Sequence, residues 1–342
     1  MGISCQINLF KPPNSVYQPG DVVSGIIKYV LPEQMEFDKI VTSLKGSGLL
    51  EVRVSAQNIH TGDENVQSSN ETYVDIDHVV TNGKTKVPAG SYDVNFNFTL
   101  PQILPSSFLY QNSVKQYRIY CRFKYYVRIK FERPGWFTFS KHFRKEIYVV
   151  SGITPKLLMH PIIYGKSKKL LRFFSRKNAF INMKATIQNS IIPIGGQVHI
   201  DYEIKNDSNV PISCIETKLV EIYTFKVQGH SKVKACEDVP NTGAKIGRID
   251  CGILKPLAID MNVPIDRATL QNSKVIKRDY VVRTKVTLPM PHRNIVLDIP
   301  IEIGPINNFM PRNIPNELNV TPTAPPAYWE TMVDTVNVFS RE

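Results

Sequence analysis

The chain has 342 residues and a net charge of +12, length enough for two domains that each bury a core. No apolar run reaches the ~18 residues of a membrane-spanning helix, and the N-terminal Met-Gly-Ile-Ser-Cys-Gln leads into no signal-peptide core. Cys5, Cys121, Cys214, Cys236 and Cys251 are scattered, with no CxxC and no Cys/His zinc spacing, so free, mostly buried thiols in a reducing cytoplasm are expected.

Short alternating runs separated by Pro/Gly turns dominate the first 150 residues. The turn Gln18-Pro19-Gly20-Asp21 runs into a period-2 strand. Asp75, Asp77 and His78 look like the polar face of a strand, not a metal site. The longest strand signal is Tyr117–Glu132. Its odd positions, from Tyr117 and Ile119 to Ile129 and Phe131, are all compatible with a core. Its even positions carry Arg118, Arg122, Lys124, Arg128 and Lys130, interleaved with Tyr120 and Tyr126. Strict alternation means one buried face and one solvent face. Two readings of the basic face stand. Its charges either solvate the strand and block edge pairing, or form a positive strip that holds phosphate or acidic side chains.

Residues 151–177 contain 7 basic and no acidic groups, more than half of the whole excess charge. Lys166, Lys168, Lys169, Arg172, Arg176 and Lys177 surround Leu170, Leu171, Phe173 and Phe174. A basic interdomain linker is expected here. It either contacts an acidic membrane surface, at about 1 kcal/mol per cation, or is kept soluble by its charge. No zinc-finger, RRM or basic-helix pattern accompanies the charge, so nucleic acid is not an expected partner.

The second half repeats the first at an offset of 175: Ser15, Gly20, Val23, Ile40, Thr42 and Leu44 recur as Ser190, Gly195, Val198, Ile215, Thr217 and Leu219. Val198, Ile200, Tyr202 and Ile204 alternate with His199, Asp201 and Glu203, and an Asn-Asp-Ser-Asn turn at 206–209 follows. Helical periodicity is hard to find before residue 306. The expected fold is all-β, with two consecutive antiparallel β-sandwiches at 1–150 and 178–305. No phosphate-cradling Gly loop, HExxH or nucleophile elbow appears, and the seven histidines stand singly. No catalytic residue, cofactor or metal is expected.

Residues 306–342 read as a disordered, acidic tail. Pro322-Thr323-Ala324-Pro325 is a PTAP, the ligand type of the UEV domain of the ESCRT machinery, and Pro325-Pro326-Ala327-Tyr328 is a PPxY, the ligand type of WW domains. Proline fixes φ, so such a segment is near polyproline II already and loses little entropy on docking. The PPxY residues Pro325, Pro326 and Tyr328 are the expected WW contacts. The PTAP is either a UEV ligand or incidental.

Pro88-Ala89-Gly90, Phe96-Asn97-Phe98-Thr99-Leu100-Pro101, Leu104-Pro105-Ser106-Ser107-Phe108 and Arg133-Pro134-Gly135-Trp136 resemble the arrestin N-domain in its α-arrestin (arrestin-domain-containing) branch. Val16–Gly25 is similar to that family's opening strand-turn-strand, and Pro291–Gly304 to the end of its C-domain. The resemblance covers residues 1 to about 305 plus the tail motif. It implies two arrestin sandwiches and an adaptor that recruits HECT-type ubiquitin ligases to membrane-protein cargo, for ubiquitination and endocytosis. A peripheral position at plasma membrane and endosomes is then expected. Family members often carry two PPxY motifs and this chain has one, so paired WW contacts are lost unless the adaptor oligomerises. The phosphate-sensing ion network of the visual and β-arrestins finds no residue-by-residue match. The alternative is a trafficking scaffold of the same fold, like the arrestin-fold subunit of retromer, with incidental tail motifs.

Overall fold

The computed structural model describes residues 2–11, 15–54, 65–135, 140–170, 179–227 and 232–305. The expected tail disorder, both tail motifs and Arg172 lie outside the described residues. Every regular element among the described residues is a strand. The first sandwich contains β1 (Ser4–Leu9), β2 (Val16–Tyr17), β3 (Val22–Leu31), β4 (Met35–Val54), β5 (Asn65–Val87), β6 (Gly90–Thr99), β7 (Phe108–Val114), β8 (Tyr117–Glu132) and β9 (Lys141–Val149). They form a sheet β1-β3-β6 and a sheet β2-β9-β8-β4-β5, with β7 also paired to β8.

The second sandwich contains β10 (Ile162–Leu170), β11 (Ala179–Ile187), β12 (Ile191–Ile192), β13 (Gln197–Asp207), β14 (Cys214–Phe225), β15 (Val233–Asp238), β16 (Ala244–Ile246), β17 (Leu254–Asn262), β18 (Ile276–Thr287) and β19 (Ile295–Ile303). Its sheets are β10-β11-β13-β17 and β12-β19-β18-β14-β15, with β16 also on β14. The 175-residue repeat is structural. Gly20 and Gly195 both take positive φ, 86° and 72°, a conformation open to glycine at no steric cost. The two turns close with the same bond, Asp21 N–H to the Gln18 carbonyl at 3.0 Å and Gly196 N–H to the Pro193 carbonyl at 2.9 Å. In each copy the two-residue strand before the turn pairs in parallel with the last strand of the sandwich, β2 with β9 and β12 with β19.

Strand β8 alternates as its sequence requires, with the core positions buried from Ile119 to Phe131 and the basic positions on the other face. Tyr125 donates its hydroxyl to the Pro105 carbonyl at 2.7 Å. Ser107 Oγ accepts from Val149 N–H at 3.0 Å and Ser106 Oγ from Ser151 N–H at 2.9 Å. The Leu-Pro-Ser-Ser-Phe segment thus fastens β9 and the exit from the first sandwich.

Three expectations are corrected. The stretch 151–177 is not linker throughout. Ile162–Leu170 pairs with β11 along its whole length, because Ile162, Tyr164 and Leu170 have an apolar face to bury in the second core. His78 does not share the face of Asp75 and Asp77. Its ring stacks on Phe98 at 4.6 Å, while the two aspartates pair with Lys45. The thiols are free, but only Cys121 is buried; Cys236 and Cys251 are exposed.

Each sandwich has its own apolar core, and a third cluster joins them. Leu50, Phe108, Tyr110, Ile119 and Phe123 of the first sandwich meet Tyr223, Phe225, Leu270, Val275 and Ile276 of the second. The Tyr110 ring lies 4.5 Å from that of Tyr223 and 5.0 Å from that of Phe225. Replacing Phe225 with Ala removes a fully buried ring and should cost about 3–5 kcal/mol. Calorimetry should show one cooperative transition for the wild type and a lowered, split transition for Phe225→Ala.

Candidate functional site

The basic strip lies on the outer face of the first sandwich's larger sheet, opposite its core. Its five cations are not equivalent. Arg122 is bound by both carboxylate oxygens of Glu146, at 3.0 and 3.1 Å. Lys130 pairs with Glu132 at 2.8 Å. Arg128 donates to Ser43 Oγ at 3.3 Å and stands directly across from Arg144 of β9. Like charges in that relation repel, and Arg144 leans over the Tyr126 ring at 5.9 Å. Arg118, at the exposed start of β8, faces Arg53 across the ladder.

Lys124 and the Arg122–Glu146 pair border a cleft of about 670 Å³ beside β1. Leu9, Tyr17, Leu109 and Tyr148 supply its apolar walls and Lys11 and Lys145 further cations. Among the described residues strand β1 pairs only with β3, and so forms a sheet edge along this cleft. An edge strand with unpaired backbone groups, apolar walls and a cationic rim suits an extended acidic peptide. Lys11 is partly committed: its amine reaches Asp21 at 3.1 Å and the Val16 carbonyl at 2.7 Å. That amine and the Gln18 backbone N–H hold the Asp21 carboxyl below the ordinary range against burial, which alone raises it.

The lysines of the 151–177 stretch are partly used by the fold. The Lys166 amine donates to the Val296 carbonyl at 2.7 Å, and that of Lys168 donates to the Arg293 carbonyl. Both bonds stitch β10 to β19 and the turn before it, closing one side of the second sandwich. Lys169 is exposed, with its amine 6.0 Å from the Phe180 ring centre. Arg172 lies outside the described residues, as do Pro322, Thr323, Ala324, Pro325, Pro326 and Tyr328.

The polar residues that lock the two sandwiches together escaped the sequence reading. Glu71 accepts from Lys274 N–H at 3.0 Å, Ser273 Oγ at 3.1 Å and Tyr73 Oη at 3.0 Å. Glu237 accepts from Tyr110 Oη at 2.6 Å and from Asn112 Nδ2 at 3.0 Å. Glu302 accepts the backbone N–H groups of Lys156 and Leu157 at 2.8 and 3.1 Å. Glu221, only 3% exposed, takes the Tyr280 hydroxyl at 2.6 Å and lies 3.3 Å from Arg267 and 3.6 Å from Arg278. Burial, opposed by Arg278 and aided by Glu221, pushes the Tyr280 phenol up. Arg278 also sits 5.4 Å above the Phe108 ring of the first sandwich. A signal for Glu221 existed, since it interrupts the inward register Ile215, Thr217, Leu219, Tyr223, Phe225. Among the described residues no group of three His, Cys, Asp or Glu side chains is placed to hold a metal ion.

Residues 5–155 match the arrestin (or S-antigen) N-terminal domain and residues 177–308 the arrestin (or S-antigen) C-terminal domain. The chain belongs to the arrestin-domain family. A relative from Caenorhabditis elegans, arrestin domain-containing protein 17, is 24% identical over 324 residues, which cover 87% of this chain and 70% of the relative. Family membership points to a trafficking adaptor without enzymatic activity of its own.

The Glu221 network makes a prediction of its own. Glu221→Ala leaves Arg278 without a carboxylate and Arg267 with Asp266 alone at 3.7 Å, and should destabilise the protein by about 3 kcal/mol. Glu221→Gln keeps a hydrogen-bond acceptor for Tyr280 and should cost less. Urea denaturation of both variants measures the difference.

Proposed function

We propose that this arrestin-family chain is a cytoplasmic adaptor, peripheral at plasma membrane and endosomes, that brings a WW-domain HECT-type ubiquitin ligase to membrane-protein cargo. The observation that carries this reading is the Pro325-Pro326-Ala327-Tyr328 motif placed after the second sandwich. A WW groove takes the proline pair between aromatic rings and the tyrosine in its own pocket. Cargo tails of acidic or phosphorylated character bind in the cleft beside β1 and along Arg118, Arg122, Lys124, Arg128 and Lys130. The adaptor then accelerates ubiquitin transfer by proximity alone, and endocytosis and endosomal sorting follow. The UEV domain of the ESCRT machinery is a second tail partner in this proposal. It takes Pro322, Thr323, Ala324 and Pro325. Because Pro325 belongs to both motifs, one tail serves one partner at a time.

Titration of a WW domain into the full chain tests the reading. Tyr328→Ala should abolish binding and leave thermal unfolding unchanged, and Trp329 fluorescence reports docking in the wild type. Equal WW affinity of wild type and Tyr328→Ala would sink the ligase-recruiting role and favour the scaffold alternative. On the cargo side, Arg118→Glu with Lys124→Glu should weaken capture of an acidic peptide on the order of tenfold at low salt. Unchanged capture would remove the basic face from the cargo site.

A further inference from the structure

Strand β5 is an edge of the first sandwich's larger sheet. Among the described residues it pairs only with β4. Its 23 residues contain no proline, so each keeps a backbone N–H, and the donors not used by β4 are open to a further strand. Two adjacent apolar side chains stand bare near its middle, Val79 at 50% and Val80 at 39% exposure.

A bulge divides the charges of this edge. Thr81 stands opposite Ile40 and Val79 opposite Val41, so Val80 has no partner on β4. Before the bulge, Val74 and Ile76 pack on the first core, and Asp75, Asp77 and Val79 take the outer face. After it, Thr81 and Thr85 stand opposite the core residues Ile40 and Phe37, so Asn82, Lys84 and Lys86 take the outer face. The extra residue therefore brings both halves onto one face; without it the acids and the lysines would lie on opposite faces. Lys45 pairs with both Asp75 and Asp77, and the two carboxylates stay 62% and 50% exposed. Lys84 and Lys86 make no ion pair among the described residues, although Glu36 stands across the ladder from Lys86.

An antiparallel copy of the same edge answers this pattern. Centred between Val80 and Thr81, it sets Asp77 opposite Lys84, Asp75 opposite Lys86 and Val79 opposite Asn82, each pair twice by symmetry. The two bulges then meet at the centre, and the arms 75–79 and 82–86 carry the ladder. Lysines on an edge ordinarily keep other strands away; here they stand at the register where the aspartates of a second copy neutralise them. We propose that two copies of this chain pair along β5 and merge their larger sheets into one. The pairing itself stands on the edge alone, and its consequence rests on the adaptor reading. A dimer carries two Pro325-Pro326-Ala327-Tyr328 motifs, and so offers a ligase with tandem WW domains the paired contacts that one tail lacks.

The test is sedimentation velocity of the full chain over a range of concentrations. The wild type should pass from monomer to dimer as concentration rises, and high salt should weaken the dimer. Lys84→Glu with Lys86→Gln acts twice in a symmetric pair and should weaken it on the order of a hundredfold, with thermal unfolding unchanged. Cys236→Ser with Cys251→Ser removes the two exposed thiols. In that background Val80→Cys should cross-link between copies with a short bismaleimide. Val66→Cys, on the same strand but far from the centre, should not. A wild type that stays monomeric at its highest soluble concentration overturns the proposal. So does a dimer untouched by the lysine changes, which would place the interface elsewhere. So does a monomer whose β5 amides gain protection from hydrogen exchange only with an added cargo peptide, which would assign the edge to that peptide. The wild type should bind a tandem WW protein more tightly than a single WW domain, and the lysine variant should lose that difference while keeping its single-domain affinity. Tyr328→Ala should lose WW binding and remain a dimer, so the two readings fail separately.

Discussion

The apolar cluster between the sandwiches is the contact on which the other surfaces depend. One strand both contributes to it and fills the first core. In β8, Tyr125, Val127, Ile129 and Phe131 fill the first core, while Ile119, Cys121 and Phe123 face the second sandwich. Alternation is unbroken across the change of neighbour, so the same strand carries the basic face along its whole outer side. A residue inserted within β8 would flip one half and expose either a core or the junction.

Around this cluster stand carboxylates that accept hydrogen bonds across or beside the junction. Glu71 reaches Ser273 and Lys274 of the second sandwich, Glu237 reaches Tyr110 and Asn112 of the first, and Glu302 holds the connecting residues Lys156 and Leu157. An apolar cluster alone permits sliding, because its attraction has no direction. Directed bonds from three carboxylates remove that freedom. Arg278 adds another link, since it joins the buried Glu221 to the Phe108 ring. Buried charges of this kind contribute little net stability beyond what apolar groups would give; here they fix which faces of the two sandwiches meet.

Much of this was legible in the sequence. The strand class followed from period-2 runs, and the repeat at 175 residues located equivalent turns at Gly20 and Gly195 before any coordinates. Strand β8 could be assigned face by face. What stayed hidden depends on contacts between segments far apart in the chain. Ser273 and Glu71 are 202 residues apart, and no local pattern links them. Strand β10 was hidden because Lys166 and Lys168 occupy inward-facing register positions, where a reader expects apolar residues; their amines escape to backbone carbonyls at the edge of the sandwich. Glu221 alone left a trace, a charge in an apolar register. The candidate cleft was invisible for a related reason, as its walls come from β1, β2, β7, β8 and β9 together.

These constraints give the proposed adaptor a physical logic. A rigid pair of sandwiches holds cargo, the tail motif holds a ligase, and their linkage in one chain raises the effective concentration of ligase at cargo to roughly millimolar. Linkage is therefore the central claim. It is tested most directly by reconstituted ubiquitin transfer from a WW-domain ligase to an acidic peptide anchored on vesicles. The full chain should accelerate transfer, whereas the two-sandwich body and a separate 306–342 peptide added together should not. Equal rates with the linked and the divided chain would contradict it.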